Sequence, residues 1–207
     1  MRVPGDKSIS HRALMLAVLG RGRSRIRGIL RSADVRSTAE ALRALGATIP
    51  SLDDDEVVID GLGLRGLRAP TRDLDCGNSG TTTRLLAGVV AGAGVTARFV
   101  GDASLSARPM RRVSAPLEAM GARVELPPHG GLPMTIHGGA LHGVTWHAEM
   151  ASAQVKSAIL LAGVVGGYVT GLLSGVVIAL PAMISGELLT MPLFAGVGVL
   201  GGLVRDS

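Results

Sequence analysis

The stretch "GTTTRLLAGVVAG", residues 80–92, shows how the chain is organised, because its pattern occurs at two other places. The other copies are "SISHRALMLAVLG" at residues 8–20 and "SAQVKSAILLAGV" at residues 152–164. In each copy, short or polar residues precede a cation at the fifth position, and an apolar run of helical length follows. The cations recur every 72 residues, at Arg12, Arg84 and Lys156. The repeat predicts three similar helices, each with a positive charge near its amino terminus.

The segments that follow the first two helices repeat as well. A strand is predicted after each helix, "SRIRGI" at residues 24–29 and "VTARFVG" at residues 95–101. Apolar residues at helical spacing then predict a second helix within residues 32–49 and within residues 107–125. The two segments therefore read as two copies of one structural unit.

Glycines are placed to end the second helix of each unit. Gly46 and Gly121 stand where a left-handed residue commonly terminates a helix, and a short strand is predicted after each. The runs "EVVID" (56–60) and "LPMTIH" (132–137) then close the two units as strands. With a short strand before its first helix, each unit has the order βαβαββ, and a third unit begins near Val144. The predicted fold class is α/β, built of repeated βαβαββ units.

The three helix starts are suited to binding an anion. Free N–H groups and the positive end of the helix dipole attract negative charge to a helix amino terminus. Helix starts that are related by a repeat can converge on one side of a domain. In "DCGNSGTTTR" (75–84), Gly77 and Gly80 allow a ligand to approach the backbone closely, and Arg108 precedes a further helix. The alternative is a set of ordinary capped helices with solvated cations, but the repetition of the pattern favours an anion site.

Composition narrows the class of ligand. The 207-residue chain carries a net charge of +5, but its basic residues are scattered, and it has one Trp, one Tyr and two Phe. A nucleic-acid surface needs a dense basic patch, often with aromatic side chains for stacking, so no nucleic-acid partner is expected. Small anionic substrates account better for the charge.

The cysteine and histidine content points away from redox and metal chemistry. Cys76 is the only cysteine, so the chain has no internal disulfide, and a cytoplasmic protein is expected. Because no histidine or cation lies beside Cys76, a small buried residue is expected there rather than a reactive thiol. His142 and His147 have no neighbouring carboxylate or thiol, so no metal site is predicted.

Four motifs resemble a known family. They read "PGDKSISHRA" (4–13), "GNSGTTTRLLAG" (77–88), "DASLSARPM" (102–110) and "ASAQVKSAILLAG" (151–163). Their order and spacing resemble the 5-enolpyruvylshikimate-3-phosphate synthase family of enolpyruvyl transferases, as far as about residue 166. The resemblance implies that residues 1–166 form the amino-terminal lobe of a two-lobed fold, with helices that face inward. Its units would lie at about residues 4–61, 73–138 and 144–166.

The same resemblance implies a reaction. Family members transfer the enolpyruvyl group of phosphoenolpyruvate to the 5-hydroxyl of shikimate 3-phosphate and release phosphate, through a tetrahedral ketal phosphate. This step of the shikimate pathway leads to chorismate and the aromatic amino acids. The resemblance implies no metal or organic cofactor and no membrane partner, and it implies a monomer for the full-length family.

The resemblance also assigns roles to residues of the motifs. Shikimate 3-phosphate would contact Lys7, Ser8, Arg12, Ser152 and Gln154. Phosphoenolpyruvate would contact Lys7, Asn78, Gly80, Arg108 and Gln154. Gly80 would line a pocket in which a side chain would collide, which implies sensitivity to glyphosate. Arg84 and Lys156 would shape the electric field, and Ala153 replaces a serine that many relatives carry. No residue of this chain is assigned as catalytic with certainty.

The family motifs end at about residue 166. The remaining residues, 167–207, are strongly apolar, and residues 169–186 contain no charged side chain. Three interpretations compete: a membrane span, which Pro181 would interrupt, a tail that packs onto the lobe, and a truncated or frame-shifted product. The abrupt loss of charge favours the third. The second lobe and its acid and base carboxylates are not recognised, so the chain alone is expected to bind substrates without turnover.

Two other functions stay open. A sister enzyme acts on a UDP-linked amino sugar, UDP-N-acetylglucosamine, but its opening motif pairs Lys with Asn, whereas this chain has Lys7 followed by Ser8. Its mobile loop also carries a cysteine, which this chain lacks outside Cys76. The other alternative is a non-catalytic module that binds phosphorylated metabolites, which the missing lobe favours.

Overall fold

The computed structural model of the protein describes residues 5–146 and 152–167. Its helices are α1 (Lys7–Leu19), α2 (Ala33–Ala44), α3 (Gly80–Ala93), α4 (Ala103–Ser106), α5 (Arg111–Ala119) and α6 (Ala153–Gly166). Its strands are β1 (Arg21–Arg27), β2 (Glu56–Leu62), β3 (Leu74–Asp75), β4 (Thr96–Val100), β5 (Arg123–Glu125) and β6 (Met134–His137). The alternation of helices and strands confirms the predicted α/β class.

The first unit contains α1, β1, α2 and β2. Helix α1 begins where the Asp6 carboxylate accepts a hydrogen bond from the Ile9 amide at 2.8 Å. Strand β1 pairs with β2 in an antiparallel register that places Ser24 opposite Ile59. Val57 and Ile59 are buried, whereas the arginines of β1 are exposed. This two-stranded sheet therefore covers the core with one face and meets solvent with the other.

The strand predicted after Gly46 is not formed. Gly46 has a φ of +102° just after α2, as expected at a helix end, but residues 47–50 form no strand. Instead, the Arg43 guanidinium of α2 donates to the carbonyl oxygens of Ile49 at 2.8 Å and Pro50 at 2.6 Å. These side-chain bonds satisfy carbonyl groups that a neighbouring strand would otherwise have to pair.

The second unit carries a four-stranded sheet. The strand order is β3-β4-β6-β5, with β3 parallel to β4 and the other pairs antiparallel. The strand predicted after Gly121 is present as β5. Helix α5 continues through Pro116 to Ala119, and the side chain of Pro116 is buried.

Helices α3 and α6 approach each other at the level of their backbones. A Cβ atom on Gly88 would lie 2.1 Å from the Ala158 carbonyl oxygen, and one on Gly92 would lie 2.6 Å from that of Ala162. Neither position can therefore accommodate a side chain while the helices keep this separation. Because the contacting pairs advance in the same direction along both helices, α3 and α6 are parallel, and their first turns lie side by side.

Cys76 is part of the core. Its side chain is fully buried, and its pKa is raised to about 12, first because burial disfavours the thiolate. The prediction of a small buried residue at Cys76 is confirmed.

Several predictions fall on parts of the chain that are not described. The strand predicted before α1 lies largely in residues 1–4, and the interpretations of the apolar tail concern residues 168–207 almost entirely. Among residues 5–146 and 152–167, no helix has the length and apolar character needed to cross a bilayer.

Candidate anion-binding site

Arg12 joins the amino-terminal halves of α1 and α6. Its guanidinium donates to the Ser157 hydroxyl of α6 at 2.7 Å and to the Ser8 carbonyl of its own helix at 3.0 Å. Arg12 is half-buried and forms no ion pair with any residue that the structure describes. A half-buried guanidinium without a carboxylate partner is free to bind an anion.

Lys7 stands at the start of α1 and contacts Asp34 of α2. The distance from Nζ to Asp34 Oδ2 is 2.9 Å, and the Lys7 side chain is 51% exposed. A surface ion pair of this kind contributes about 0–1 kcal/mol. Two of the three ammonium hydrogens of Lys7 therefore stay available to a ligand beside this contact. The neighbouring Ser8 is exposed and shares this edge of the site.

Arg84 and Gln154 join α3 and α6. Arg84 Nη1 donates to Gln154 Oε1 at 3.0 Å, and Gln154 Nε2 donates to Thr81 Oγ1 at 3.0 Å. Gly80 is the first residue of α3 and lies against this pair, since a Cβ atom on it would be 2.5 Å from Arg84 Nη1. The glycine thus leaves the space that the guanidinium occupies.

Arg108 and Asn78 face the same glycine from the other side. Arg108 donates to Asn78 Oδ1, and Asn78 Nδ2 donates to Asp102 Oδ2 at 2.6 Å. The pKa of Asp102 is lowered, first by the hydrogen bond from the Leu105 amide and then by Asn78, so the carboxylate stays ionised and orients the amide. A Cβ atom on Gly80 would lie 3.4 Å from Arg108 Nη1.

The arginines around Gly80 repel one another. The pKa of the Arg84 guanidinium is lowered, first by burial and then by the positive charges of Arg108 and Arg112. These cations lie near the amino terminus of α3, where the helix dipole is positive as well. A phosphate or carboxylate would relieve the repulsion and accept paired bonds from the guanidinium groups.

The structure brings most of the residues assigned to the site together in two groups. One group contains Lys7, Ser8 and Arg12, and the other contains Asn78, Gly80, Arg108 and Gln154. Helix α6 links the groups, because Gln154 contacts α3 while Ser157, one turn later, contacts α1. Three helix starts therefore meet on one face.

Ser152 stands slightly apart from both groups. It caps α6, where its hydroxyl accepts a hydrogen bond from the Val155 amide at 3.4 Å. Within residues 5–146 and 152–167, no hydrogen bond joins the Ser152 hydroxyl to either group. Lys156, expected to shape the field, is half-buried in α6.

Three further polar residues complete the site. They are Asp34, Thr81 and Ser157. The sequence places Asp34 near the start of a predicted helix, where a carboxylate interacts favourably with the helix dipole. Nothing in the neighbouring sequence indicates that Asp34 contacts Lys7. Thr81 and Ser157 carry no signal beyond their position near a helix start.

A cavity lies at another place in the fold. A volume of about 470 Å³ opens between α2 and β3, is lined by Arg36, Glu40, Arg72 and Leu74 among others, and reaches the loop before α3 at Gly77. Converging cations mark the candidate site. In the described part of the chain, no group of three His, Cys, Asp or Glu side chains is placed to hold a metal ion.

A buried chain of hydrogen bonds lies beneath the site. His11 Nδ1 is 2.6 Å from Thr38 Oγ1, which is 2.6 Å from Thr82 Oγ1, and Thr82 Oγ1 is 2.8 Å from Ser79 Oγ. All four side chains are buried, each with 0% exposure. Burial lowers the pKa of His11 to about 4, so its imidazole is neutral at pH 7.

Stability should depend on pH through His11. The native pKa is about 4 against an ordinary value of 6.5, so between these pH values the unfolded chain binds a proton that the native protein does not. The free energy of unfolding should therefore fall as the pH drops through this window, by about 3 kcal/mol in total. Urea unfolding at a series of pH values measures the slope. His11→Asn, which cannot titrate, should lose most of the slope between pH 6.5 and 5, and an unchanged slope would exclude His11 as its source.

Comparison with known proteins identifies the family. The family model described as EPSP synthase (3-phosphoshikimate 1-carboxyvinyltransferase) matches residues 1–190. The chain belongs to the EPSP synthase family. The resemblance recognised from the four motifs is confirmed, and the match of the family model continues past residue 166, where those motifs end.

Curated relatives of this EPSP synthase family chain carry the name 3-phosphoshikimate 1-carboxyvinyltransferase. The protein of Alkalilimnicola ehrlichii is 54% identical over 164 residues, which cover 79% of this chain and 37% of the relative. The protein of Xanthomonas campestris is 51% identical over 172 residues, which cover 83% of this chain and 39% of the relative. The chain thus spans less than two-fifths of the length of these relatives.

A solved structure supports the fold. The EPSP synthase of Acinetobacter baumannii superposes with a TM-score of 0.78 at 43% sequence identity, over 81% of this chain and 38% of that one. At this identity the likeness extends beyond the general fold to the family. The expected enolpyruvyl-transferase type of lobe is confirmed.

Proposed function

We propose that this chain is the substrate-binding lobe of an enzyme that transfers the enolpyruvyl group of phosphoenolpyruvate to the 5-hydroxyl of shikimate 3-phosphate. The observation that carries the proposal is the meeting of three helix starts on one face. The cations on this face are Lys7 and Arg12 of α1, Arg84 of α3, and Arg108, which precedes α5. Both substrates are polyanions, which suits such a face. The name shared by the curated relatives supports the reaction.

Shikimate 3-phosphate is assigned to the side of α1 and α6. Arg12, which has no carboxylate partner among the described residues, donates to the ligand, and the exposed Ser8 hydroxyl lies on the same helix turn. Ser152 and the free amides of the first turn of α6 bind the 3-phosphate, as is usual at a helix amino terminus. Gln154 lies between the two substrates, because it already contacts Arg84.

Phosphoenolpyruvate is assigned to the side of α3. Arg108 pairs with it, Asn78 orients Arg108, and Gly80 lines the pocket, where a side chain would displace the Arg84 guanidinium. The Lys7 ammonium keeps its contact with Asp34 and donates its other two hydrogens to the two substrates. The mutual repulsion of Arg84 and Arg108 is then relieved by the bound anion.

The chain alone is not expected to complete the reaction. The 5-hydroxyl must lose a proton, and the methylene carbon of phosphoenolpyruvate must gain one, so positioned acid and base groups are needed. The carboxylates at the site are already engaged, Asp34 with Lys7 and Asp102 with Asn78 and Leu105. In the proposal, a second lobe supplies the acid and the base.

Calorimetry followed by a turnover assay tests this function. Shikimate 3-phosphate is titrated into the purified 207-residue chain, with unphosphorylated shikimate as the matched ligand. Phosphoenolpyruvate is then added and phosphate release is measured. We expect binding that requires the 3-phosphate, without phosphate release. Failure to bind would refute the site, and phosphate release would refute the need for a second lobe.

A non-catalytic module is the second candidate, favoured by the 37% coverage of the relative from Alkalilimnicola ehrlichii. Such a module would bind other phosphorylated metabolites, for example 3-phosphoglycerate, as tightly as shikimate 3-phosphate. UDP-N-acetylglucosamine, the substrate of the sister enzyme, is not expected to bind. The proposal further includes a cytoplasmic location, a monomeric full-length protein and no nucleic-acid or membrane partner.

Gly80→Ala should weaken the binding of glyphosate in the phosphoenolpyruvate pocket. The new methyl group would lie 2.5 Å from Arg84 Nη1, so the guanidinium must move and loses its bond to Gln154. We expect glyphosate affinity, measured by calorimetry with shikimate 3-phosphate present, to fall about tenfold. Gly139→Ala, at a glycine with nothing within 4 Å, is the control. Unchanged glyphosate binding in Gly80→Ala would argue against the assigned pocket.

A further inference from the structure

The ion pair between Lys7 and Asp34 has a buried counterpart one helical turn away. His11 follows Lys7 by four residues on α1, and Thr38 follows Asp34 by four residues on α2. Lys7 contacts Asp34 at 2.9 Å at the surface, and His11 contacts Thr38 at 2.6 Å in the core. Residues four apart share one face of a helix. The two contacts therefore lie one helical turn apart between the same pair of helices, one exposed and one buried.

Thr82 of α3 contacts the α2 residue of each of these two pairs. Its hydroxyl oxygen lies 2.6 Å from Thr38 Oγ1 and 3.2 Å from the Asp34 carbonyl oxygen. It also lies 2.8 Å from the hydroxyl of Ser79, the residue that caps α3. One buried hydroxyl thus contacts both residues of α2 that hold α1, together with the cap of the helix that carries Gly80.

The Asp34 carbonyl oxygen, at the end of this chain of hydrogen bonds, determines which group donates in each bond. The Thr82 hydroxyl donates to Ser79 Oγ at 2.8 Å and to the Asp34 carbonyl oxygen at 3.2 Å, which can only accept, so its proton is shared between these two oxygens. Thr82 then accepts from Thr38, and Thr38, having used its proton, accepts from His11 Nδ1. In the opposite direction the Thr82 proton would point to Thr38, and the 3.2 Å contact with the Asp34 carbonyl would have no proton in it.

This direction defines the state of His11. The ring is neutral, with its proton on Nδ1, and the lone pair on Nε2 has no partner in the described part of the chain. An unpaired buried acceptor is a smaller loss than a broken chain of three bonds in a medium of low dielectric constant.

We propose that His11 is a positioning residue for Lys7 and acts through the chain Thr38–Thr82–Asp34. The exposed ion pair alone is too weak to fix α1 against α2. The buried contact between His11 and Thr38 sets the register of the two helices, and the bond from Thr82 holds the backbone of Asp34, which contacts Lys7. The proposal rests on the proposed function in one respect only, namely that Lys7 binds the substrate. The proton order itself does not depend on any ligand.

A ligand-free measurement tests the proton order. Two-bond ¹H–¹⁵N spectra of the ¹⁵N-labelled chain at pH 7 distinguish the histidine tautomers, and loss of one signal in His11→Asn assigns it. We expect the Nδ1–H tautomer for His11. The Nε2–H tautomer, or a protonated ring, would overturn the proposal. This result stands even if the wild-type chain fails to bind shikimate 3-phosphate, in which case the proposed function fails and the tautomer alone decides the inference.

Two matched valine variants test the positioning role. Thr38→Val removes a hydroxyl of the chain, whereas Thr83→Val removes an equally buried hydroxyl that donates to the Ser79 carbonyl at 3.0 Å outside it. Loss of one net hydrogen bond should weaken the binding of shikimate 3-phosphate about fivefold in Thr38→Val. Thr83→Val should lower the urea midpoint of unfolding by about as much as Thr38→Val does. It should nevertheless change the affinity for shikimate 3-phosphate less than about twofold.

A pair of His11 variants tests whether an N–H donor at this position is enough to retain substrate affinity. His11→Asn keeps an N–H donor for Thr38, whereas His11→Leu keeps the bulk alone. The affinity for shikimate 3-phosphate should be higher in His11→Asn than in His11→Leu. Equal effects of Thr38→Val and Thr83→Val, or of the two His11 variants, would show a merely structural role and overturn the proposal.

Discussion

Arg12→Ala should weaken the binding of shikimate 3-phosphate by about 10- to 100-fold, because hydrogen bonds to a charged group contribute about 1.5–3 kcal/mol. Arg12 forms no ion pair in the described part of the chain, so its charge is available to the ligand. The substitution also removes the bond to Ser157 that holds α6 beside α1. Calorimetry measures the change. Because the lost interaction is ionic, the affinity of the variant should fall less steeply with salt than that of the wild type.

Arg23→Ala is the matched control for this charge change. Arg23 lies on β1, outside the helix starts that carry the site, and pairs with Asp60 at 2.9 Å in an exposed setting. The variant loses the same formal charge away from the site. Its affinity for shikimate 3-phosphate should change less than about twofold. Equal weakening by both substitutions would mean that net charge, rather than a built site, attracts the ligand.

Gly88→Ala should lower the free energy of unfolding by about 3 kcal/mol, as overpacking of a tight contact does. Alanine favours a helix over glycine by about 1 kcal/mol, so intrinsic propensity predicts the opposite sign. Packing decides the sign here, because the new Cβ atom would lie 2.1 Å from the Ala158 carbonyl oxygen and 3.0 Å from its Cα. These are backbone atoms of α6, which cannot rotate aside. The two helices must separate.

Urea unfolding measures this loss, with Gly139→Ala as the control. No atom lies within 4 Å of a Cβ at residue 139, so the control should stay within about 0.5 kcal/mol of the wild type. Separation of α3 from α6 should also break the contact between Arg84 and Gln154 and weaken ligand binding. A Gly88→Ala variant as stable as the wild type would disprove the close approach of these helices.

Local patterns made most of the helices predictable from the sequence. Apolar spacing and capping residues are contained within a few positions, and Gly46 and Gly121 both adopt a positive φ after a helix. The strand predicted at residues 47–49 failed because joining a sheet requires a partner, and Arg43 engages the Ile49 carbonyl instead. The missing strand thus reflects a side-chain contact that the apolar pattern of its residues does not contain.

The site shows the same division between local and distant information. The motifs place Lys7 and Gly80 at helix starts, where their chemistry can be read directly. The contacts of Asp34 with Lys7 and of Thr38 with Thr82 join residues 27 and 44 positions apart. Tertiary packing creates such contacts, and the sequence neighbouring each residue does not indicate its partner.

One titration tests most directly whether the starts of α1, α3 and α6 form a single anion site. Shikimate 3-phosphate is added to the ¹⁵N-labelled chain, and the shifts of the backbone amides are followed. We expect saturating shifts with one dissociation constant, concentrated at residues 7–12, 78–84 and 152–157. Shifts concentrated instead around the cavity between α2 and β3, or scattered without saturation, would contradict the central claim.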